Sequence, residues 1–126
     1  MRILIVDDIR GWREYHAGIV KQLFPEAGIV TAECAKDAYD IVFQNTKTPF
    51  DIIITDMQME TDYEPLYAGE WLIERIKELS SYYRTKIVII SATYNIQNIA
   101  DRFGVSYIRK GTARTIPDSY LILKES

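Results

Sequence analysis

Residues 2–12 read RILIVDDIRGW, and this stretch decides the fold because an apolar run passes directly into two adjacent carboxylates. The run at 3–6 has no alternation of polar and apolar residues, which is typical of a strand covered on both faces. One aspartate there could cap the next helix. Two neighbouring carboxylates repel each other by about 1 kcal/mol in water at 4 Å, and by roughly 4 kcal/mol at an effective dielectric constant of 20. Asp7 and Asp8 therefore indicate either a solvated turn or a cation site.

The overall composition predicts one ordinary globular domain. The chain has 126 residues, of which 48% are hydrophobic and 26% charged, enough to bury a real core. A net charge of -3 argues against a general affinity for nucleic acid or anionic membranes. The first apolar run is interrupted by Asp7, so we expect no signal peptide, and no run approaches the length of a membrane span. We expect a cytoplasmic protein with a single domain over residues 1–126.

Cysteine and histidine each occur once, which limits metal and nucleophile chemistry. With Cys34 alone there is no intrachain disulfide. A zinc site made of these two residue types would have at most two candidate ligands, and a Ser-His-Asp triad would depend on His16. The setting REYHAGIV is typical of a helix, and we interpret His16 as a surface or half-buried side chain.

Short apolar runs alternate with amphipathic stretches along the chain. The strand-like runs are at 3–6, 29–32, 52–55, 87–90 and 107–108. Residues at helical spacing form four predicted inward faces: Trp12, Tyr15, Ile19 and Leu23; Ala35, Ala38, Ile41 and Val42; Leu72, Ile76, Leu79 and Tyr83; Ile96, Ile99, Ala100 and Phe103. Alternating strands and helices predict an α/β fold, a doubly wound parallel sheet of five strands between two helix layers.

Polar residues follow the predicted strands at the edge where such sheets bind ligands. They are Asp7, Asp8, Asp56, Ser91 and Lys110. Converging carboxylates would raise each other's pKa unless a cation compensated them, and Mg²⁺ (or Mn²⁺) takes such oxygen ligands. An aspartate can also act as a nucleophile and form an aspartyl phosphate. The pattern therefore favours a metal-assisted phosphoryl acceptor over a solvated turn.

The sequence resembles the receiver domains of two-component response regulators over residues 1 to 111. The matching motifs are LIVDD at 4–8, DIIITDMQM at 51–59, IVIISA at 87–92 and GVSYIRK at 104–110. The resemblance implies a flavodoxin-like fold in which Asp56 is the phosphoacceptor. It implies that Mg²⁺ binds to Asp7, Asp8, Asp56 and the backbone carbonyl of Gln58. It further implies that Ser91 bonds the phosphoryl group, Lys110 pairs with it, and Tyr107 is the switch aromatic.

The same resemblance implies the partners of the protein. The phosphoryl group would come from a sensor histidine kinase or a histidine phosphotransfer protein, and the output would be contact with a further protein. The domain would catalyse its own phosphoryl transfer and slow aspartyl-phosphate hydrolysis without turning over an external substrate. Neither direct nucleic-acid binding nor membrane insertion is expected.

Four departures from the family pattern bear on this interpretation. Gly111 stands where proline usually follows the lysine, and Glu60 stands where proline usually follows the methionine. The loop at 57–68 is longer than usual, and we predict that it covers the site or offers Tyr63, Leu66 and Tyr67 to a partner. The last helix is predicted to be short, over residues 117–124, with proline in its first turn.

Other function classes remain as alternatives. The main one is a receiver-like interaction module that signals without phosphorylation. A haloacid-dehalogenase-like phosphatase would carry DxD rather than adjacent aspartates and would bring a cap domain. An FMN carrier would need a phosphate-cradling loop where this chain has DDIRG.

Overall fold

The computed structural model describes residues 1–59 and 68–125, which form a five-stranded parallel sheet. The strands are β1 (Arg2–Val6), β2 (Gly28–Ala32), β3 (Ile52–Thr55), β4 (Lys86–Ser91) and β5 (Ser106–Arg109). Their order in the sheet is β2-β1-β3-β4-β5. All five predicted strands are confirmed. The order changes direction between β1 and β3, so their carboxyl ends border the crevice where ligands bind in open sheets.

Five α-helices and two 3-10 helices connect and follow the strands in the described ranges. They are α1 (Arg10–Leu23), α2 (Ala35–Gln44), α3 (Ala68–Lys77), α4 (Ile96–Phe103) and α5 (Lys110–Thr115), with 3-10 helices at Ser80–Tyr82 and Pro117–Lys124. The predicted short last helix has the expected bounds but 3-10 geometry, with Pro117 at its start. The preceding helix α5 was not predicted.

The core lies in two layers, one on each face of the sheet. Residues 3–6 of β1 are fully buried and alternate between the layers. Leu4 and Val6 pack with α2, α3 and α4. Ile3 and Ile5 pack with α1 and the C-terminal segment. Covering both faces explains why the sequence shows continuous apolar runs.

Two of the predicted helix faces differ from the structure. In α1 the fully buried residues are His16 and Val20, while Trp12, Tyr15, Ile19 and Leu23 flank them and are half-buried. The expectation that His16 is a surface or half-buried side chain was wrong, since its exposure is 1%.

The inward face predicted for the third helix extends beyond the end of the helix in the structure. Helix α3 ends at Lys77, so Leu79 lies beyond it, and Tyr83 is 76% exposed rather than buried. A 3-10 turn at Ser80–Tyr82 changes the helical phase and buries Tyr82 instead, whose hydroxyl donates to the carbonyl of Val42 at 2.9 Å.

The C-terminal 3-10 helix (Pro117–Lys124) packs on the α1 side of the sheet. Tyr120 and Leu123 are buried there, and Leu121 is 49% exposed. The prediction for Tyr63, Leu66 and Tyr67 lies outside the described residues, as does most of the loop at 57–68. Among the residues that the structure describes, no helix has the length and apolar character needed to span a membrane.

Candidate functional site

Asp7 directly follows β1 and is fully buried. Its Oδ1 accepts a hydrogen bond from the Ile9 amide at 2.9 Å, and its Oδ2 lies 2.9 Å from Lys110 Nζ and 3.7 Å from His16 Nε2. Burial alone would raise the pKa of Asp7, but the polar contact with His16, the hydrogen bond from the Ile9 amide and the charge of Lys110 outweigh it. The pKa of this carboxyl therefore lies below its ordinary value, and the group is held as a carboxylate.

Asp56 follows β3 and is 6% exposed. Its Oδ1 accepts a hydrogen bond from the Met57 amide at 2.7 Å, and its Oδ2 lies 2.8 Å from Lys110 Nζ. The backbone of this turn touches the start of α3, where the Gly69 amide donates to the Met57 carbonyl at 2.9 Å. A Cβ on Gly69 would overlap the Asp56 carbonyl oxygen, so only glycine allows this approach.

Lys110 bridges the two buried aspartates from the start of α5. Its ammonium forms ion pairs with both Asp7 and Asp56, and the residue is only 7% exposed. Burial would lower the pKa of Lys110, but its hydrogen bond and charge interaction with Asp56, and then with Asp7, raise it above its ordinary value. The lysine is therefore held charged between two carboxylates.

Three carboxylates meet in this crevice. One oxygen from each of Asp7, Asp8 and Asp56 lies within 4.8 Å of the others. Together with the Lys110 ammonium these side chains carry a formal charge of two negatives, which one divalent cation balances. Carboxylate oxygens are the hard ligands that Mg²⁺ prefers, so the donor set fits this ion.

The site borders a cleft of about 510 Å³. Its lining includes Asp8, Asp56, Gln58, Ser91 and Lys110. Ser91, the last residue of β4, is 2% exposed, and its hydroxyl lies 3.1 Å from that of Thr93, whose amide donates back to it at 3.2 Å. The structure thus brings the predicted site residues together, while their individual roles remain predictions.

Tyr107 lies one strand away from this cleft. It is half-buried on β5, packs against the core on the α4 side, and has the Arg109 guanidinium 5.9 Å from its ring centre. Neither contact distinguishes a switch from an ordinary packed aromatic residue, so its proposed role stays a prediction.

Trp12 and His16, both on α1, approach the site without having been predicted as members. The Trp12 ring centre lies 5.0 Å from Lys110 Nζ, within reach of a cation–π interaction. His16 reaches Asp7 from below. Their four-residue spacing could have indicated this from the sequence, because it places both residues on the same face of α1, the face next to the carboxyl end of β1.

Comparison with known proteins decides the family. The family model of the response regulator receiver domain matches residues 3–112. The chain belongs to the response regulator receiver family. No curated protein is a significant match to the receiver sequence.

Solved receiver structures share its fold at low sequence identity. Chemotaxis protein CheY4 of Vibrio cholerae superposes with a TM-score of 0.73 at 20% identity, covering 98% of this chain and 94% of that one. The receiver domain of a DNA-binding response regulator of Colwellia psychrerythraea gives 0.75 at 20% identity, with 99% of both chains covered. TrrA of Thermotoga maritima, solved in complex with Mg(2+)-BeF, gives 0.72 at 22% identity, covering 98% of this chain and 94% of that one. At such identities the likeness shows the fold alone.

Proposed function

We propose that this receiver domain accepts a phosphoryl group on Asp56, with Mg²⁺ (or Mn²⁺) bound at the acidic cluster. The observation that carries the proposal is the Lys110 ammonium, held 2.8 Å from Asp56 and 2.9 Å from Asp7 beside a third carboxylate. Phosphoryl transfer needs mainly positioning and neutralisation of charge, and these groups supply both. The Mg(2+)-BeF complex of the Thermotoga receiver supports the choice of metal.

The metal would be held by Asp7, Asp8, Asp56 and the carbonyl of Gln58, and when bound it would neutralise charge on the phosphoryl oxygens. A carboxylate oxygen of Asp56 attacks phosphorus, and the bond from phosphorus to the donor nitrogen of a phosphohistidine breaks. The proton needed by the leaving imidazole comes from solvent. The Lys110 ammonium, 2.8 Å from Asp56, and the Ser91 hydroxyl in the same cleft would donate to the oxygens of the new aspartyl phosphate.

The output follows from the added charge. A phosphoryl group brings roughly -1.5 to -2 charges at pH 7, which attract Lys110 and Ser91 and change the contacts of both. Moving a two-state equilibrium from 1:99 to 99:1 takes about 5.5 kcal/mol of differential binding. We propose that this difference changes the affinity for another protein. A sensor histidine kinase or a phosphotransfer protein would be the donor, in the cytoplasm.

Intact mass spectrometry after incubation with acetyl phosphate and Mg²⁺ tests the proposal. We expect one phosphoryl adduct on the wild type and none when a chelator removes the metal or when Asp56→Asn replaces the acceptor. Asp101→Asn, an exposed aspartate on α4, is the matched control and should carry the adduct. If a phosphoramidate donor and a cognate kinase also leave the wild type unmodified, the phosphorylation-independent module takes its place.

A further inference from the structure

His16 connects the acidic site to the C-terminal 3-10 helix. The ring is 1% exposed, and its two nitrogens contact different side chains. Nδ1 lies 2.6 Å from the Tyr120 hydroxyl oxygen, and Nε2 lies 3.7 Å from Asp7 Oδ2. Tyr120 is itself fully buried. A polar line of three side chains therefore runs from the C-terminal segment to the base of the site.

The two neighbours of His16, Tyr120 and Asp7, determine which ring nitrogen carries the proton. Burial, with further contributions from Tyr15 and Asp7, raises the pKa of Tyr120, so its hydroxyl keeps a proton to donate. A neutral imidazole carries one N–H, and the hydrogen bond at one nitrogen decides which nitrogen bears it. If Tyr120 donates to Nδ1, the N–H lies on Nε2 and faces a carboxylate. The opposite tautomer would set the Nε2 lone pair against the negative oxygen.

Asp7 Oδ2 is buried and makes no hydrogen bond within the described part of the chain, although the Lys110 ammonium lies 2.9 Å away as an ion pair. Lys110 Nζ serves Asp7 and Asp56 together. At 3.7 Å the contact of Nε2 with Oδ2 is longer than a direct hydrogen bond while the ammonium occupies that oxygen. Buried polar atoms normally have a hydrogen-bond partner, and the Nε2–H of His16 would be a neighbouring donor for this oxygen.

We propose that His16 is a positioning residue for Asp7: Tyr120 fixes its tautomer, and its Nε2–H orients the Asp7 carboxylate for cation binding. The inference rests on the proposed metal site. Partners that orient a metal-binding group typically contribute 10- to 100-fold to metal affinity. The C-terminal 3-10 helix thereby becomes part of the support of the site, although it lies outside the region that matches the family.

The variants must separate hydrogen bonding from packing. The His16 ring also packs against Trp12 and Tyr120, with ring centres 5.4 and 5.8 Å away. His16→Leu keeps apolar volume but removes the N–H, whereas His16→Gln offers an amide N–H close to the position of Nε2. Tyr120→Phe removes only the hydroxyl that fixes the tautomer.

Two measurements test the inference on the full chain. Long-range ¹H–¹⁵N NMR of the single histidine, at pH 8 without metal, should show a proton on Nε2 and an unprotonated Nδ1. Mg²⁺ titration, followed by tryptophan fluorescence, should give a Kd raised at least about 10-fold in His16→Leu and within about 3-fold of wild type in His16→Gln. Tyr120→Phe should weaken Mg²⁺ binding and shift the histidine signals.

Three outcomes would overturn the inference. The first is a proton on Nδ1 alone in the wild type, and the second is equal Mg²⁺ affinity in the wild type and His16→Leu. The third is an equal loss of Mg²⁺ affinity in folded His16→Leu and His16→Gln, which would indicate that packing and not hydrogen bonding is responsible. In these cases the wild type still binds Mg²⁺. A wild type that binds no Mg²⁺ would instead refute the metal site of the proposed function, and the inference with it.

Discussion

Replacing Lys110 with methionine removes the one ammonium shared by two buried carboxylates. Methionine keeps a similar length and apolar volume, so the main change is in charge. Asp7 is fully buried and Asp56 is 6% exposed, and each lies within 3 Å of the Lys110 nitrogen. Breaking a buried ion pair by removing one partner costs about 3–5 kcal/mol, because the remaining charge stays buried and uncompensated. We expect a loss of this size for metal-free Lys110→Met at pH 7.

This loss is large compared with the whole stability of a domain, which is about 5–15 kcal/mol. For a chain of this length it lowers the Tm by roughly 10–20 °C. Mg²⁺ should reverse part of it, because the cation supplies the missing positive charge. At 100 times its Kd a ligand that binds only the folded state adds about 2.7 kcal/mol. The gain on adding Mg²⁺ should therefore be larger in the variant than in the wild type.

Urea unfolding at pH 7, with and without Mg²⁺, measures both effects. Lys36→Met is the matched control, since Lys36 is exposed on α2 and its replacement should change the free energy of unfolding by less than about 0.5 kcal/mol. If metal-free Lys110→Met loses less than about 1 kcal/mol of unfolding free energy, the ion pairs of Lys110 with Asp7 and Asp56 behave like exposed ion pairs, which contradicts the reasoning. Equal Mg²⁺ stabilisation of variant and wild type would also refute the reasoning.

Three further predictions use other contacts. Gly69→Ala should lower the free energy of unfolding in urea by about 1–3 kcal/mol and slow phosphoryl labelling, because its Cβ would lie 2.7 Å from Met57 Cα. Unchanged stability and labelling would contradict the close approach of the two backbones. Gly111→Ala should stabilise the domain by about 0.5–1 kcal/mol, since Gly111 lies in helix α5 and an added Cβ would point into open space. A loss of stability would argue against a helix there. Because the pKa of Asp7 is lowered in the folded state, its carboxylate stabilises the fold above the ordinary pKa of 3.8, and this stability is lost as the pH falls through the lower folded pKa. The free energy of unfolding of Asp7→Asn should therefore change less over that acidic range than that of the wild type. Parallel pH profiles of the two proteins would contradict this.

The sheet, and the edge of it where the polar residues gather, were predictable because their signals are local. Each strand is a short run of apolar residues that the two helix layers cover, so burial appears directly in the sequence. The position of Asp56 then follows from the rule that the carboxyl ends of parallel strands meet at one edge. The convergence of Asp7, Asp8, Ser91 and Lys110 needed no further information.

The remaining features depend on tertiary contacts that leave no local pattern. His16 occupies the centre of the buried face of α1, but a histidine counts as polar, so the apolar pattern indicated its flanks instead. Its burial depends on Tyr120, which lies 104 residues away in sequence. Helix α5 has only six residues and contains a glycine, too short for helical periodicity to be visible. The exposure of Tyr83 results from the 3-10 turn that follows α3.

We propose that Asp56 itself carries the phosphoryl group. Borohydride reduction of the protein after incubation with acetyl phosphate and Mg²⁺ converts an aspartyl phosphate to homoserine, which peptide mass spectrometry locates. We predict homoserine at position 56 alone, and none when Mg²⁺ is omitted. Homoserine at position 7 or 8, or at position 56 irrespective of metal, would contradict the arrangement of acceptor and metal ligands derived from this site.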